Sequence, residues 1–363
     1  MSAAVPTRAP EAIANRGAPM LSAHGLGKRF EIASGAGMPL RRGPRRHVQA
    51  LRDVSIELHR GETLGIVGES GCGKSTLARC LSGLDAPDAG EIRWQGRPMA
   101  AESSALERAR RVQMVFQDPY ASLNPRMTLA QALDEALLVH GLAATRAERA
   151  ERVDELLLTV GLAPRLKHLL PHALSGGQRQ RISIARALAV GPQVLIADEP
   201  VSALDASIQA QIINLLEELR ERLQIAFVFI SHDLNVVRHI SDRIAVMYFG
   251  QVVESADTDA LFAQPAHPYT RALLAAIPQT DPARRSLVPA LAGELPDPTA
   301  PPRGCSFSTR CPWVVEACRA QEPALLGHAP PRHAVRCSNA EARVGGSPGP
   351  IATSEGEDRV PTR

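Results

Sequence analysis

The chain has 363 residues, 44% of them hydrophobic and 22% charged, with a formal net charge of +3. That balance predicts a globular protein with a large core and more than one domain, and so small a net charge argues against bulk electrostatic binding to nucleic acid. No run approaches the roughly 18 apolar residues of a membrane span, and residues 1–20 lack the apolar stretch of a secretory signal, so a cytosolic chain is expected.

Along the chain, residues 1–20 carry arginine and proline with little apolar surface and are expected to form a flexible tail. Two strand-like runs then flank a Gly-, Pro- and Arg-rich interruption, Glu31 to His47, which is also expected to be flexible. The stretch ETLGIVGESGCGKSTLARCLSGL has the form strand, loop, helix, and its GESGCGKS fits the phosphate-loop pattern G-x-x-x-x-G-K-[ST] at Gly68, Gly73, Lys74 and Ser75. Glycines let successive backbone N–H groups curl around phosphate oxygens, while the following helix directs its positive end at them. On this pattern Gly68, Glu69, Ser70, Gly71, Cys72, Gly73, Lys74, Ser75 and Thr76 form a nucleotide cradle. Lys74, one of only three lysines, reaches the β- and γ-phosphates, and Ser75 ligates magnesium. A chance glycine-rich turn is the bland alternative. Cys72 reads as a small filler rather than a reactive thiol, although a helix N-terminus lowers thiol pKa.

The segment Thr128 to Gly161 reads as two amphipathic helices. In LSGGQRQR, a serine and two glycines open a long helical run. Glycine costs about 1 kcal/mol against alanine in a helix interior, so the pair is better explained by position: a helix N-terminus seats an anion. VLIADEP follows, with Val194 to Ala197 suited to a buried parallel strand. Asp198 emerges at its C-terminal end as the magnesium carboxylate, and Glu199 beside it is a candidate general base. A turn cap before Pro200 is the structural alternative for this acidic pair. The run ASIQAQIINLLEELRERL places Ile208, Ile212, Leu215, Leu216, Leu219 and Leu223 at helical spacing and predicts a packing helix without chemistry. His232 ends the apolar run IAFVFIS; a lone histidine there is commonly a structural hydrogen-bonder.

LSGGQ followed by VLIADEP resembles the ATP-binding-cassette family. The resemblance covers roughly residues 21–255. It implies that Ser175, Gly176, Gly177 and Gln178 hold the γ-phosphate of ATP bound to a partner subunit. Gln117 in MVFQDP fits the family's Q-loop, which serves magnesium and catalysis. SALD, Ser202 to Asp205, fits the D-loop with Asp205 at the nucleotide; His232 fits the switch histidine, and Phe30 in GKRF the aromatic that stacks on adenine. The implied fold is an α/β P-loop NTPase: a mixed-sheet core with an antiparallel subdomain and a helical subdomain near 120–190. A small extension over 256–340 and a disordered tail over 341–363 complete the expected organisation.

The stretches QPAHPYTRALLAAIP and LAGELPDPTAPPRGCSFSTRCPWVVEACRAQEPAL resemble the C-terminal region of the oligopeptide/dipeptide importer branch, in its second ATPase subunit. The implied protein uses ATP and Mg2+ at the cytoplasmic face of the bacterial inner membrane. It pairs with a homologous ATPase subunit on two integral permease subunits, fed by an extracytoplasmic binding protein, with no nucleic acid. A non-transport cassette ATPase acting on ribosomes or nucleic acid, or a subunit with a dead site, are the rival readings. Four cysteines in this region, Cys305, Cys311, Cys318 and Cys337, are spaced C-x5-C-x6-C-x18-C. A cysteine cluster in a reducing compartment more often binds metal or reacts than forms disulfides. The spacing lacks the paired C-x2-C of most zinc sites, and four thiolates can complete a four-iron cluster. Zinc and plain free thiols are the alternatives; His328 and His333 can substitute as ligands, with solvent-exposed histidines the bland alternative. Asp281 to Pro331 has few apolar stripes, which favours a cross-link of some kind.

Overall fold

The computed structural model describes residues 17–32, 46–102, 104–118, 122–277, 295–328 and 332–340. Twelve strands occur among these residues: β1 Leu21–Ile32, β2 Arg46–Leu58, β3 Thr63–Val67, β4 Ala89–Trp94, β5 Arg97–Pro98, β6 Val112–Val115, β7 Val194–Asp198, β8 Ala226–Ile230, β9 Arg243–Tyr248, β10 Gln251–Asp257, β11 Leu326–His328 and β12 His333–Val335. They form a four-stranded antiparallel sheet, β2-β1-β4-β5, and an eight-stranded sheet, β11-β12-β10-β9-β3-β8-β7-β6. Most of the interruption expected between Glu31 and His47, both tails beyond their inner ends, and part of Asp281 to Pro331 lie outside the described residues. The flanking strands run into both ends of the interruption and pair there, Glu31 opposite His47 and Ile32 opposite Arg46, so its ends are sheet rather than loop.

The centre of the larger sheet is parallel, β9-β3-β8-β7-β6, and its strands are buried on both faces. Period-two alternation sorts their side chains between two cores. Val194, Ile196, Val228, Ile230 and Met247 face the antiparallel sheet and the helix Lys74–Leu81. Leu195, Ala197, Phe227, Phe229 and Val246 face the helical side of the molecule.

The two amphipathic helices expected in 128–161 are Leu129–Val139 and Arg146–Thr159. Each begins with a capping box, Thr128 with Gln131 and Thr145 with Glu148, in which side chain and backbone N–H satisfy one another reciprocally. The expected crossover helix is Ala206–Leu223, with Ile212, Leu215, Leu216 and Leu219 buried as predicted, Ile208 half-buried and Leu223 exposed.

The C-terminal region is continuous with the core sheet. β12 pairs with β10, Glu254 opposite Val335, so β10 runs through the expected boundary at 255/256 and carries strands from both sides of it. Glu254 is fully buried and accepts from the backbone N–H of Ala266 (2.7 Å), that of His267 (2.9 Å) and the ring of His333 (2.7 Å). Burial pushes its carboxyl up, but these donors outweigh it and hold the group below the ordinary carboxylate range. His333 is therefore a buried partner of Glu254 and not a solvent-exposed side chain.

His267 is buried in the same seam, where its Nδ1 accepts from the Tyr269 backbone N–H at 3.0 Å, and burial lowers its pKa to about 4. The folded chain thus refuses a proton that the unfolded chain takes up below pH 6.5, so stability falls as the pH drops from 6.5 towards about 4. At pH 5 the loss is on the order of 2 kcal/mol, at about 1.4 kcal/mol per pH unit. Thermal midpoints measured across pH 4–7 should show this slope, and His267→Asn should flatten it; an equally steep curve in the variant would contradict the assignment.

Candidate functional site

Four of the parallel strands end side by side, and each hands on one of the sequence motifs. In sheet order these are the phosphate loop after β3, Ser231-His232 after β8, Asp198-Glu199 at the end of β7, and Gln117 beyond β6. Ligands of open α/β sheets bind at this edge, beyond the strands' carboxyl ends.

The phosphate loop turns from β3 directly into the helix Lys74–Leu81, with Ser75 and Thr76 in its first turn. Gly73, the N-cap, has φ 105°, and a side chain there would run into the Ala50 carbonyl. Only glycine accepts both conditions. Lys74 is buried, its Nζ donating to the carbonyls of Gly68 (2.8 Å) and Glu69 (3.0 Å). Ser70 and Gly71 are exposed at the rim. Cys72 is buried, and burial pushes its thiol pKa up despite the neighbouring Lys74, which suits the filler reading.

Asp198 is buried at the end of β7, and its Oδ1 has no partner among the described residues. Burial raises its pKa, with the like charge of Glu199 adding to the shift, while a hydrogen bond from Ser75 and the charge of Lys74 oppose it. A buried carboxylate oxygen without a donor, beside a hydroxyl on the phosphate-loop helix, fits a divalent cation with oxygen ligands. Glu199 follows with φ 47°, a left-handed conformation uncommon for a non-glycine residue, its N–H held by the Ile230 carbonyl at 2.9 Å. Its Oε2 accepts from Gln117 Nε2 at 3.3 Å and faces His232 Nδ1 at 3.2 Å. The fold thus brings together three groups separated by 82 and 33 residues.

Ser175 caps the helix Gly176–Leu188, and Gln178 completes a capping box: Ser175 Oγ accepts from the Gln178 N–H (3.3 Å), and Gln178 Oε1 from the Ser175 N–H (3.0 Å). Among the described residues no hydrogen bond joins this turn to the chain's own phosphate loop. The glycine pair has a second cause invisible in the sequence. A Cβ on Gly177 would stand 2.5 Å from Ile208 Cγ2 and one on Gly176 3.2 Å from Leu204 Cδ2, so the turn packs against the D-loop and its helix. Asp205 caps that helix, its Oδ1 accepting from the Ile208 N–H at 3.0 Å. Phe30 is 41% exposed on β1, opposite Val48 of β2, with Lys28 Nζ 5.6 Å from its ring centroid.

The four C-terminal cysteines carry no disulfide. Cys305 and Cys311 pack against the helical-side core, Cys337 beside Val335 and Ala266. Burial raises the Cys305 pKa to about 11, with the other three thiols adding smaller contributions of the same sign. Among the described residues, however, no group of three or more His, Cys, Asp or Glu side chains is arranged to hold a metal ion, so the expected ligand cluster is not preformed. Sequence reasoning missed two contacts to the phosphate loop from this region. The Glu69 backbone N–H donates to Tyr269 Oη at 2.9 Å, and the Glu69 carboxylate pairs with Arg310. The only trace of them in the sequence is a tyrosine and an arginine inside HPYTR and STRC.

Residues 51–202 match the family described as ABC transporter, and residues 253–318 the family described as oligopeptide/dipeptide transporter, C-terminal region. A probable peptide ABC transporter ATP-binding protein of Sinorhizobium fredii, y4tS, is 52% identical over 80% of this chain and 82% of its own length. The oligopeptide transport ATP-binding protein AppF of Bacillus subtilis is 51% identical over 80% and 89%. The di/tripeptide transport ATP-binding protein DppF of Pseudomonas aeruginosa is 46% identical over 90% and 99%. Among solved structures, a dimeric post-hydrolysis state of the ATP-binding cassette MJ0796 with ADP and Pi superposes with a TM-score of 0.58 at 30% identity, covering 66% of this chain and 99% of that one.

Proposed function

We infer the function from the premise that this chain belongs to the ATP-binding subunits of ABC transporters, with the C-terminal region of their oligopeptide/dipeptide branch. It is an ATPase that powers peptide uptake together with membrane permease components. The finer reading is a peripheral subunit on the cytoplasmic face of the inner membrane, paired head-to-tail with a homologous ATPase subunit on two permease subunits served by an extracytoplasmic binding protein. Among the described residues no helix is long and apolar enough to cross a membrane.

The observation that carries the catalytic reading is the meeting of Gln117, Glu199 and His232 beside the phosphate loop. Phosphate oxygens entering the loop replace the carbonyls that now hold Lys74. Ser75, Asp198 and Gln117 would hold Mg2+, which when bound would offset the negative charge of the β- and γ-phosphates. Glu199 takes a proton from the attacking water, Gln117 and His232 fix the carboxylate that does so, and Phe30 offers an exposed ring to adenine. Ser175 to Gln178 and Asp205 complete the partner's site, and the Gln117 segment transmits nucleotide state to the permease. Copurification from membranes with two integral subunits tests this assembly; a chain recovered with ribosomes or nucleic acid instead would overturn it.

We also propose the iron–sulfur reading of Cys305, Cys311, Cys318 and Cys337. Its support is the donor set: four cysteines in one extension, with Cys311, Cys318 and Cys337 near enough to Cys305 to act on its thiol. A single ion draws its thiolates into one tetrahedron, whereas each thiolate of a four-iron cluster sits on its own iron and the ligands stand further apart. Anaerobic purification should give a brown protein with about four irons per chain. Serine at any of the four positions should bleach it, and Cys72→Ser and Cys80→Ser should not. A colourless anaerobic preparation without iron, or with stoichiometric zinc, removes the cluster and leaves the ATPase untouched.

A further inference from the structure

Arg310 lies next to Cys311, 241 residues from Glu69, and yet its guanidinium forms two parallel hydrogen bonds with that residue of the phosphate loop. Nη1 donates to Oε2 at 2.8 Å and Nη2 to Oε1 at 3.0 Å, and the arginine side chain is only 5% exposed. Such bidentate pairs fix orientation as well as charge. The backbone of Glu69 is held too: its N–H donates to Tyr269 Oη, and its carbonyl is one of the two acceptors of Lys74 Nζ. The chain of contacts Arg310, Glu69, Lys74 therefore runs from the cysteine-bearing region into the phosphate cradle.

The presentation of Arg310 is itself well supported. Its backbone N–H donates to the Phe307 carbonyl at 3.0 Å, and Phe307 is buried with its ring 5.3 Å from that of Tyr248 and 5.6 Å from that of Tyr269. The Cys305 N–H donates to the Cys318 carbonyl at 2.7 Å, which closes the turn. The guanidinium also lies over the Tyr248 ring, 5.9 Å from its centroid.

We propose that Arg310 is a positioning residue of the nucleotide site: it holds Glu69 in place and cancels its charge, so that the loop offers its N–H groups and Lys74 to a triphosphate. The physical need is plain. Glu69 is a carboxylate on a loop that receives a polyanion, and an unpaired negative charge there repels the phosphates and competes for Lys74. The inference rests on the ATPase reading above. Its rival is that the pair merely staples the C-terminal region to the core, in which case the sign of the charge on Glu69 has no bearing on nucleotide.

Equilibrium binding of a fluorescent ATP analogue with Mg2+ to the full-length chain separates the two. Arg310→Ala should weaken binding by about tenfold or more, the scale of one lost charge-assisted contact. The loss should shrink as salt is raised, because part of it is repulsion at a partly exposed carboxylate. Adding Glu69→Gln to Arg310→Ala removes the uncompensated charge and should recover most of the loss, and Arg310→Lys should fall between wild type and Arg310→Ala. If Arg310→Ala does not fold, Arg310→Gln, which keeps length and hydrogen bonding without the charge, takes its place with the same expectation. Unchanged affinity in the charge-removing variant overturns the proposal, as does equal weakness of the single and double variants. Wild-type protein that does not bind the probe overturns the ATPase reading and this inference with it.

Discussion

Glu199→Gln is expected to leave ATP binding intact while slowing hydrolysis by about 10²-fold or more, within the range for a lost general base. The side chain is well placed for the role. Its Oε2 is fixed between Gln117 Nε2 and His232 Nδ1, and its backbone stands in an unfavourable φ 47° that the fold sustains through the Ile230 carbonyl. Local strain of this kind costs on the order of 1–3 kcal/mol and persists where the surroundings over-determine it. The amide is isosteric with the carboxylate and keeps an oxygen for one of the two neighbours, so the site keeps its shape and loses only the capacity to take a proton. Asp198 and Lys74 are untouched, and nucleotide binding survives. Phosphate release by the assembled transporter and nucleotide binding measured side by side decide the matter; near-normal turnover would remove Glu199 from the base's role. His232→Ala should cost less, since it takes away one fixing contact and leaves the base itself.

Ser175→Arg should abolish ATP-driven closure of the subunit pair, and turnover with it, while the chain's own Lys74 site still binds nucleotide. Ser175 is exposed at a helix N-terminus, and among the described residues its side chain hydrogen-bonds only to the Gln178 N–H, so it can address a second subunit. Arginine fills that entrance with bulk, opposes the positive end of the helix dipole, and deprives the helix of its cap, a loss of about 1 kcal/mol. Ser175→Ala isolates the last contribution: it removes the cap alone and should leave closure measurable. Mixing each variant with a wild-type partner and following ATP-dependent association by size-exclusion chromatography separates these effects. Unchanged closure with arginine in place would mean that the turn does not face a partner's phosphate.

Much of this site was legible in the sequence because its chemistry is written locally. The phosphate loop needs glycines, a lysine and a hydroxyl within eight residues, and the magnesium carboxylate needs only a buried strand before it, so GESGCGKS and VLIADEP declare themselves without knowledge of the fold. The capping serine of LSGGQ and the periodic apolar face of Ala206–Leu223 are local for the same reason: helix ends and helix faces obey short-range rules. What the sequence by itself determined is therefore the list of chemical groups and the α/β elements that carry them. The tertiary structure decided what those groups touch. Parallel pairing of β3, β8, β7 and β6 aligned four distant motifs at one edge and set Glu199 between Gln117 and His232. Close packing on Ile208 required Gly177 for a reason unrelated to any anion. Sheet extension by β12 buried His333 against Glu254, where an exposed ring had been the bland expectation. The same docking carried Arg310 across 241 residues to Glu69. Such contacts have no sequence signature, because pairing register and side-chain packing are collective properties of the folded chain, whereas loops, caps and strand ends are fixed by a few neighbouring residues.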